Sequence, residues 1–290
     1  MEKIFIDKEQ CTLCKLCIPV CLRRILEEGD ETIGITDPEQ CFLCGHCKAV
    51  CPEDAPQLPS LNSEEFEPVP RKEELPDAEQ LMDLFRSRRS VRIYRRDLVE
   101  QEKLERIIQA GRFAPTGGNR QPLNYVVIHT EKLKQIRDMA MDALADQAKR
   151  IERAVEKHRK TGEPLSHNDQ LRQGYVARWS QMPNLLKQGT DSLFYDAPAL
   201  IVCHVDPMGS PTPDVDACLA SMQMVLMAEA LGLGTCFCAF LVFAIEESLD
   251  LRKALQIPED HIVSSSFMVG YPDVKFVRFV SREPAKISWL

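Results

Sequence analysis

Eight of the twelve cysteines fall within the first 51 residues, and they form two copies of one pattern. Cys11, Cys14, Cys17 and Cys21 recur as Cys41, Cys44, Cys47 and Cys51 at a constant offset of 30, and Glu-Gln-Cys opens each copy. Short β-like stretches, Ile4-Phe5-Ile6 and Ile33-Gly34-Ile35, introduce the copies. Duplication of this kind means two copies of one structural unit. In C-x2-C-x2-C-x3-C, three cysteines wrap one cubane and the fourth is directed at the cluster of the other copy. Cys11, Cys14, Cys17 and Cys51 are therefore expected to hold one [4Fe-4S] cluster, and Cys41, Cys44, Cys47 and Cys21 a second. Zinc is the competing reading, but a structural zinc site uses paired C-x2-C halves across a long spacer, so the third and fourth cysteines would be surplus. No signal peptide is legible ahead of the run, which predicts ligation in a reducing, cytoplasmic setting rather than disulfides.

Residues 1–56 resemble a bacterial two-cluster ferredoxin. Pro52 follows Cys51 as in that family, whereas Leu22 stands where the first proline is usual. Proline is not a ligand, so this departure leaves ligation intact and bears only on turn geometry. Gly45 and nearby small residues suit close approach of backbone amides to sulfur, which tunes potential. Composition then shifts. From Pro52 to Gln80 there are six prolines and nine acidic residues against only Arg71 and Lys72. Such a stretch reads as an extended linker, placed at 57–79.

Charge and hydropathy limit the partners. Lys plus Arg is 36 and Asp plus Glu is 44, a net charge of −8, so general nucleic-acid binding is not expected. Between Ala217 and Ile245 the sole charged residue is Glu229. Gly232 and Gly234 interrupt that run and no basic flank anchors it, so it reads as a buried helix followed by a buried strand or turn, not a membrane span.

Helical and strand periodicities alternate from residue 80 to 290 and indicate an α/β or α+β domain. Strands are expected at Tyr125–His129, Ala199–Val205 and Ile262–Val269, with a helix from Asp214 through Leu231 whose first turn Pro213 and Asp214 suit. The polar interval 132–193, broken by Pro164 and Pro183, reads either as a lid insertion or as a solvated helical hairpin. Six arginines lie between positions 86 and 96. Arg88, Arg89, Ser90 and Arg92 could grip a phosphate monoester through charge-assisted bonds; alone, the run is equally a solvated charge patch. Ala114-Pro115-Thr116-Gly117-Gly118-Asn119-Arg120-Gln121-Pro122 follows, a turn whose glycines admit a ligand and whose amides could read a heterocycle edge.

Together these motifs resemble the FMN-dependent nitroreductase family, with R-x-S-x-R near the start and A-P-[ST]-x-x-N-x-Q-P about 25 residues later. Phe194-Tyr195-Asp196-Ala197-Pro198, the helix from Asp216 leading into Leu231-Gly232-Leu233-Gly234-Thr235-Cys236, and Gly270-Tyr271-Pro272 extend the resemblance over 80–290. It implies a nitroreductase-like α+β three-layer sandwich with a mostly antiparallel sheet, assembled as an intertwined homodimer with FMN at the interface. It assigns Arg88, Arg89, Ser90 and Arg92 to the FMN phosphate and ring edge, and Asn119 and Gln121 to the flavin's polar face. Pro115, Thr116 and Gly117 would back the neighbouring subunit's cofactor. Phe237, Cys238 and Ala239 would lie on the isoalloxazine and offer a backbone N–H to N5, and Arg282 would reach the phosphate, with Lys275 and Arg278 as weaker candidates. A thiol at Cys238 departs from the aromatic-aliphatic-glycine pattern of many members, and buried cysteine usually behaves as a small apolar group; Cys203 and Cys218 are read as core residues in the same way. No side-chain catalytic acid is legible, so FMN N5 is the reactive centre.

The expected activity is an oxidoreductase that takes electrons through two [4Fe-4S] clusters to FMN and on to a small-molecule acceptor. An external ferredoxin or NAD(P)H is the expected donor, with no nucleic acid and no membrane involved. The alternative is an electron-transfer component that reduces a partner protein.

Overall fold

The computed structural model describes residues 2–129 and 131–290. The chain divides into two compact units, Met1–Asp77 with Gly118–Arg120, and Ala78–Gly117 with Gln121–Leu290.

In chain order the first unit contains β1 (Phe5–Ile6), α1 (Cys17–Val20), β2 (Leu26–Glu28), β3 (Ile33–Ile35), α2 (His46–Ala49) and β4 (Pro56–Gln57). β1 pairs antiparallel with β4 and β2 with β3, giving two small ribbons. Each short helix begins within one residue of the third cysteine of its repeat. The core is thin: Ile4, Ile25, Leu26, Ile33 and Leu58, with Cys17 and Cys47 buried among them. So small an aliphatic core ordinarily needs a disulfide or metal staple. The stretch read as a linker is not wholly extended. Leu61 and Phe66 pack on this core, and two 3₁₀ turns form at Ser63–Glu65 and Lys72–Glu74.

The second unit runs α3 (Ala78–Ser87), α4 (Gln101–Arg112), β5 (Leu123–His129), α5 (Glu131–Thr161), α6 (His167–Arg172), α7 (Val176–Lys187), β6 (Ala199–Val205), α8 (Pro213–Ala230), β7 (Gly234–Phe237), α9 (Ala239–Glu247), α10 (Leu249–Ala254) and β8 (Ile262–Gly270). The sheet order is β5-β6-β8-β7 and every pairing is antiparallel. Period-two alternation splits the central strand between two cores. Leu200 and Val202 pack with α5, α7 and α9, whereas Ala199, Ile201 and Cys203 pack with α4 and α8. A sheet covered by helices on both faces needs such an apolar run, and β6 is buried along its whole length. The expected α+β layering and its three strands are present.

Three local expectations need correction. Pro183 does not interrupt a helix but lies inside α7; it forgoes one backbone bond, while Trp179 and Met182 anchor the same helix in the core. α8 is not buried all round. Ala217, Ala220, Ser221, Met224, Val225 and Ala228 face inward, but Val215, Leu219 and Met222 are exposed. For the same reason Cys218, expected in the core, is exposed: it lies one position past the inward stripe. The 217–245 run resolves into α8, a left-handed turn at Gly232, β7 and α9. Among the described residues no helix is long and apolar enough to cross a membrane.

Candidate functional site

The repeat of the first unit is a repeat of backbone as well as of cysteine. Leu13 and Leu43, Lys15 and Gly45, and Arg24 and Asp54 all have positive φ, between 53° and 75°. These pairs keep the offset of 30. L-residues enter the left-handed region only under constraint, and here it curls each loop around its own thiols. The Leu43 N–H points at Cys41 Sγ (3.4 Å) and the Ala55 N–H at Cys51 Sγ (3.4 Å). Gly45 answers to a different demand: a Cβ there would meet the Phe66 ring at 3.1 Å.

The thiols gather in two sets that cross the repeat. Cys21, Cys41, Cys44 and Cys47 line one cavity. Burial pushes the Cys47 thiol up to about 12, with negative charge on Cys41, Cys44 and Cys17 adding to the rise. Burial likewise raises Cys17, and there the neighbouring charges are Cys51, Cys14 and Cys11. None of the twelve cysteines forms a disulfide. Among the described residues no three His, Cys, Asp or Glu side chains close to the spacing of a single metal ion. Asn119 groups with this unit, where its amide donates to the Leu43 carbonyl at 2.9 Å.

In the second unit the arginine run follows α3 and docks on β7. Ser90 bridges Thr235, and the Val91 N–H donates to the Thr235 carbonyl at 2.9 Å. Gly234 permits this, because a Cβ there would fall 2.6 Å from Val91. The docking creates a cavity of about 480 Å³ whose walls include Arg86, Ser87 and Arg89 together with Lys275 and Arg278. Nε of Arg89 is buried without a hydrogen-bond partner, and Glu229 is the one acid on the lining. A buried, unsatisfied donor among four cations fits a phosphate-bearing ligand. Arg88 and Ser90 are half-buried and Arg92 is exposed. Arg282 is exposed and donates to the carbonyl of its neighbour Ser281.

The Ala114–Gln121 turn is anchored to a different element. Asp216, in the first turn of α8, is buried and accepts from the Gly117 N–H at 3.2 and 3.3 Å, Ser210 Oγ at 2.5 Å and Thr212 Oγ1 at 3.2 Å. Thr116 Oγ1 accepts from the Gln121 N–H at 3.1 Å, in a left-handed conformation at Gln121. Pro115 is exposed beside it. Sequence reasoning missed Asp216 as an organiser; its one visible signal was an acidic residue in a helix's first turn.

Where β7 passes into α9, Phe237 and Ala239 are exposed and Cys238 is buried. The Cys238 N–H is committed to the Ser266 carbonyl (2.8 Å), and Ser266 Oγ donates to the Cys238 carbonyl (2.7 Å). Cys238 therefore has no amide to spare, whereas the Ala239 N–H opens the helix and has no carbonyl partner within it. Burial pushes the Cys238 thiol up to about 12, so it stays a neutral thiol. Tyr94 is also held neutral by burial, and its hydroxyl donates to the Val91 carbonyl at 2.7 Å.

Nearby, Tyr195 and Asp196 have φ of 57° and 54°. Asp191 pins this strained turn by accepting from the Leu193 and Phe194 N–H groups, both at 2.9 Å. Arg178 Nη2 donates to the Tyr195 hydroxyl at 2.9 Å, and Arg92 lies 5.9 Å from the Tyr195 ring centre. Neither Asp191 nor Arg178 carries a motif, so nothing in the sequence singled them out.

Comparison with known proteins gives this arrangement a context. A protein of Archaeoglobus fulgidus assigned as a candidate NADH dehydrogenase/NAD(P)H nitroreductase is 27% identical over 199 residues, which is 67% of this chain and 86% of that protein. A nitroreductase from Bacteroides fragilis, crystallised with bound FMN, is 21% identical and covers 72% of this chain and 99% of its own, with a TM-score of 0.53. An FMN-bound nitroreductase from Desulfitobacterium hafniense is also 21% identical, covers 71% and 97%, and has a TM-score of 0.51. These crystal structures share the fold. The model of the nitroreductase family matches residues 85–271, well over half of the sequence, and the chain belongs to that family.

Proposed function

We propose that this protein is an FMN- and iron–sulfur-dependent oxidoreductase. Single electrons enter from an external ferredoxin through two [4Fe-4S] clusters, or a hydride from NAD(P)H goes to the flavin itself, and a small organic acceptor such as a nitroaromatic or quinone leaves reduced. The carrying observation is the cross-repeat gathering of Cys21 with Cys41, Cys44 and Cys47 around one cavity, the arrangement that a two-cluster run requires. Bound clusters would supply one electron each, and bound FMN a hydride equivalent at N5.

The chain's own residues bind and orient. Left-handed turns at 13, 15, 43 and 45 shape the loops, and the Leu43 and Ala55 amides point at the Cys41 and Cys51 sulfurs. Four cysteines in each repeat are more than the paired C-x2-C half of a zinc site uses, which favours a cluster over zinc. Arg89 holds the phosphate, joined on the cavity wall by Arg86, Ser87, Lys275 and Arg278, and its orphaned Nε is the donor in need of it. Arg88 and Ser90, which do not line that cavity, complete the site from the same run. Arg92 and Gln121 address the ring's polar edge. Phe237 backs the ring, and the Ala239 amide rather than that of Cys238 faces N5. Arg282 reaches the phosphate, and Pro115, Thr116 and Gly117 back the cofactor of a second subunit. Exposed Val215, Leu219 and Met222 on α8, with Leu81 and Phe85 on α3, form the apolar surface such a homodimer covers.

Anaerobic purification tests the core of this reading. About eight irons and one FMN per chain are expected, with a rhombic electron-paramagnetic signal after dithionite reduction. Zinc in place of iron would overturn the cluster half, and protein that takes up no added FMN would overturn the flavin half.

A further inference from the structure

The surface beside the Phe237–Ala239 segment is built from aromatic rings and arginines that lack acidic partners. Phe240, directly after Ala239, meets Tyr175 edge-on at 5.2 Å, and Tyr175 stacks on Trp179 at 5.9 Å. Tyr175 is 43% exposed, so this platform opens outward. Arg178 lies 5.6 Å from the Phe240 ring centre. Both of its hydrogen bonds, to the Tyr195 hydroxyl and to the Ser192 carbonyl at 3.4 Å, use Nη2. Nε and Nη1 are left without a protein partner among the described residues.

The contrast with neighbouring arginines gives this weight. In the same helical region Arg150 pairs with Asp169 at 2.9 Å and Glu247 at 3.0 Å, and Arg172 pairs with Glu246 at 2.6 Å. The chain holds 44 acidic residues, yet Arg178 and Arg92, both beside Tyr195, have no carboxylate among the described residues. Asp191, the buried acid of that turn, is spent on backbone amides and lies 3.8 Å from Arg137. A guanidinium fork beside an exposed ring is suited to a planar molecule that carries an anion.

We propose that this face selects the acceptor, and that the acceptor class is aromatic carboxylates: the ring lies against Tyr175 and Phe240, and the carboxylate takes the free edge of Arg178. The inference rests on the reading of residues 237–239 as the flavin's edge.

Binding tests it without turnover. The two tryptophans are Trp179 and Trp289, so a Trp289→Phe background makes Trp179, stacked under Tyr175, the sole reporter. The FMN-loaded protein is titrated with 4-nitrobenzoate and with its neutral methyl ester, following Trp179 quenching. The acid is expected to bind about tenfold more tightly or better, as a charge-assisted bond allows, and the preference is expected to shrink with added salt. Arg178→Gln should abolish the preference while leaving ester affinity unchanged; Arg178→Lys should keep part of it and shows that the site still folds. Equal affinities in the parent, or a preference that survives in Arg178→Gln, would overturn the proposal. Repeating the titration on flavin-stripped protein separates the two readings. An acid preference in protein that never accepts FMN would leave the aromatic-acid site standing and remove the flavin assignment.

Discussion

The Ala114–Gln121 turn depends on one buried carboxylate, and the cost of its removal can be worked from the contacts. Asp216 is 2% exposed. It accepts from the Gly117 N–H, Ser210 Oγ and Thr212 Oγ1. Hydrogen bonds to a charged group each contribute about 1.5–3 kcal/mol. Thr212 is exposed and can turn to water, but Ser210 is buried and Gly117 half-buried. Two sheltered bonds therefore set the scale, and Asp216→Ala should destabilise the unit by about 3–5 kcal/mol. Asp216→Asn keeps an acceptor and should cost about 1–2 kcal/mol. Urea unfolding followed by Trp179 fluorescence reads this directly, since Trp179 is buried in the same unit. With a slope of about 2–3 kcal/mol per molar urea, the alanine variant's midpoint should fall by about 1–2 M. A cycle with Ser210→Ala should show coupling of about 1 kcal/mol or more. A midpoint shift below about 0.2 M in Asp216→Ala, or no coupling, would refute the claim that this carboxylate holds the turn.

Three further outcomes are expected. Arg89→Met should weaken FMN binding by about tenfold to a hundredfold, because a charged donor to phosphate contributes about 1.5–3 kcal/mol; an unchanged dissociation constant would move the phosphate site away from this cavity. Burial, with positive charge on His261 and Arg252, lowers His204 to about 4. Its depressed folded value means the unfolded chain binds more protons between about pH 6.5 and 4, so this stability is present above that window and up to about 3 kcal/mol is lost as pH falls through it. Urea midpoints against pH should flatten in His204→Asn, and an unaltered slope would contradict the linkage. Cys51→Ala should lose about half of the iron yet keep FMN, since its partners are the first three thiols; a full complement of iron would break the crossed assignment of ligands.

How much of this was legible beforehand depended on whether the signal was local. β6 was readable because a central strand covered on both faces is apolar at every position, and Ala199–Val205 is such a run. The duplication of the first unit was readable because its cysteines keep a constant offset of 30, which the backbone repeats. Pro183 misled because a propensity is a local cost, which tertiary burial of Trp179 and Met182 outweighs. The C-terminal cations were harder. Lys275, Arg278 and Arg282 are three basic residues in one short segment, and only the path of the chain decides that the first two line the cavity. Asp216, Asp191 and Arg178 work through contacts with residues brought together by folding, and single residues of common type leave no spacing to detect.

The two repeats are alike at their cysteines and left-handed turns and unlike elsewhere. At the offset of 30, Ile18 answers to Lys48. Lys48 is an unusual substitution for an aliphatic residue, because its side chain is only 4% exposed and is paired with Asp54. It also donates to the Pro56 carbonyl at 3.4 Å and to Gln57 Oε1 at 3.3 Å, and lies 5.4 Å from the Phe66 ring centre. A buried ammonium is tolerated only with its donors satisfied, and the groups that satisfy Lys48 all come from the segment after Cys51. One lysine thus ties the helix of the second repeat to the loop carrying Cys51 and to the start of the acidic stretch. The consequence is asymmetric. Asp54 is 63% exposed, so it can return to water if Lys48 is removed, whereas Lys48 without Asp54 stays buried with an uncompensated charge. The segment from Pro52 to Phe66 is therefore part of the fold that presents Cys51, and not a spacer that begins after it.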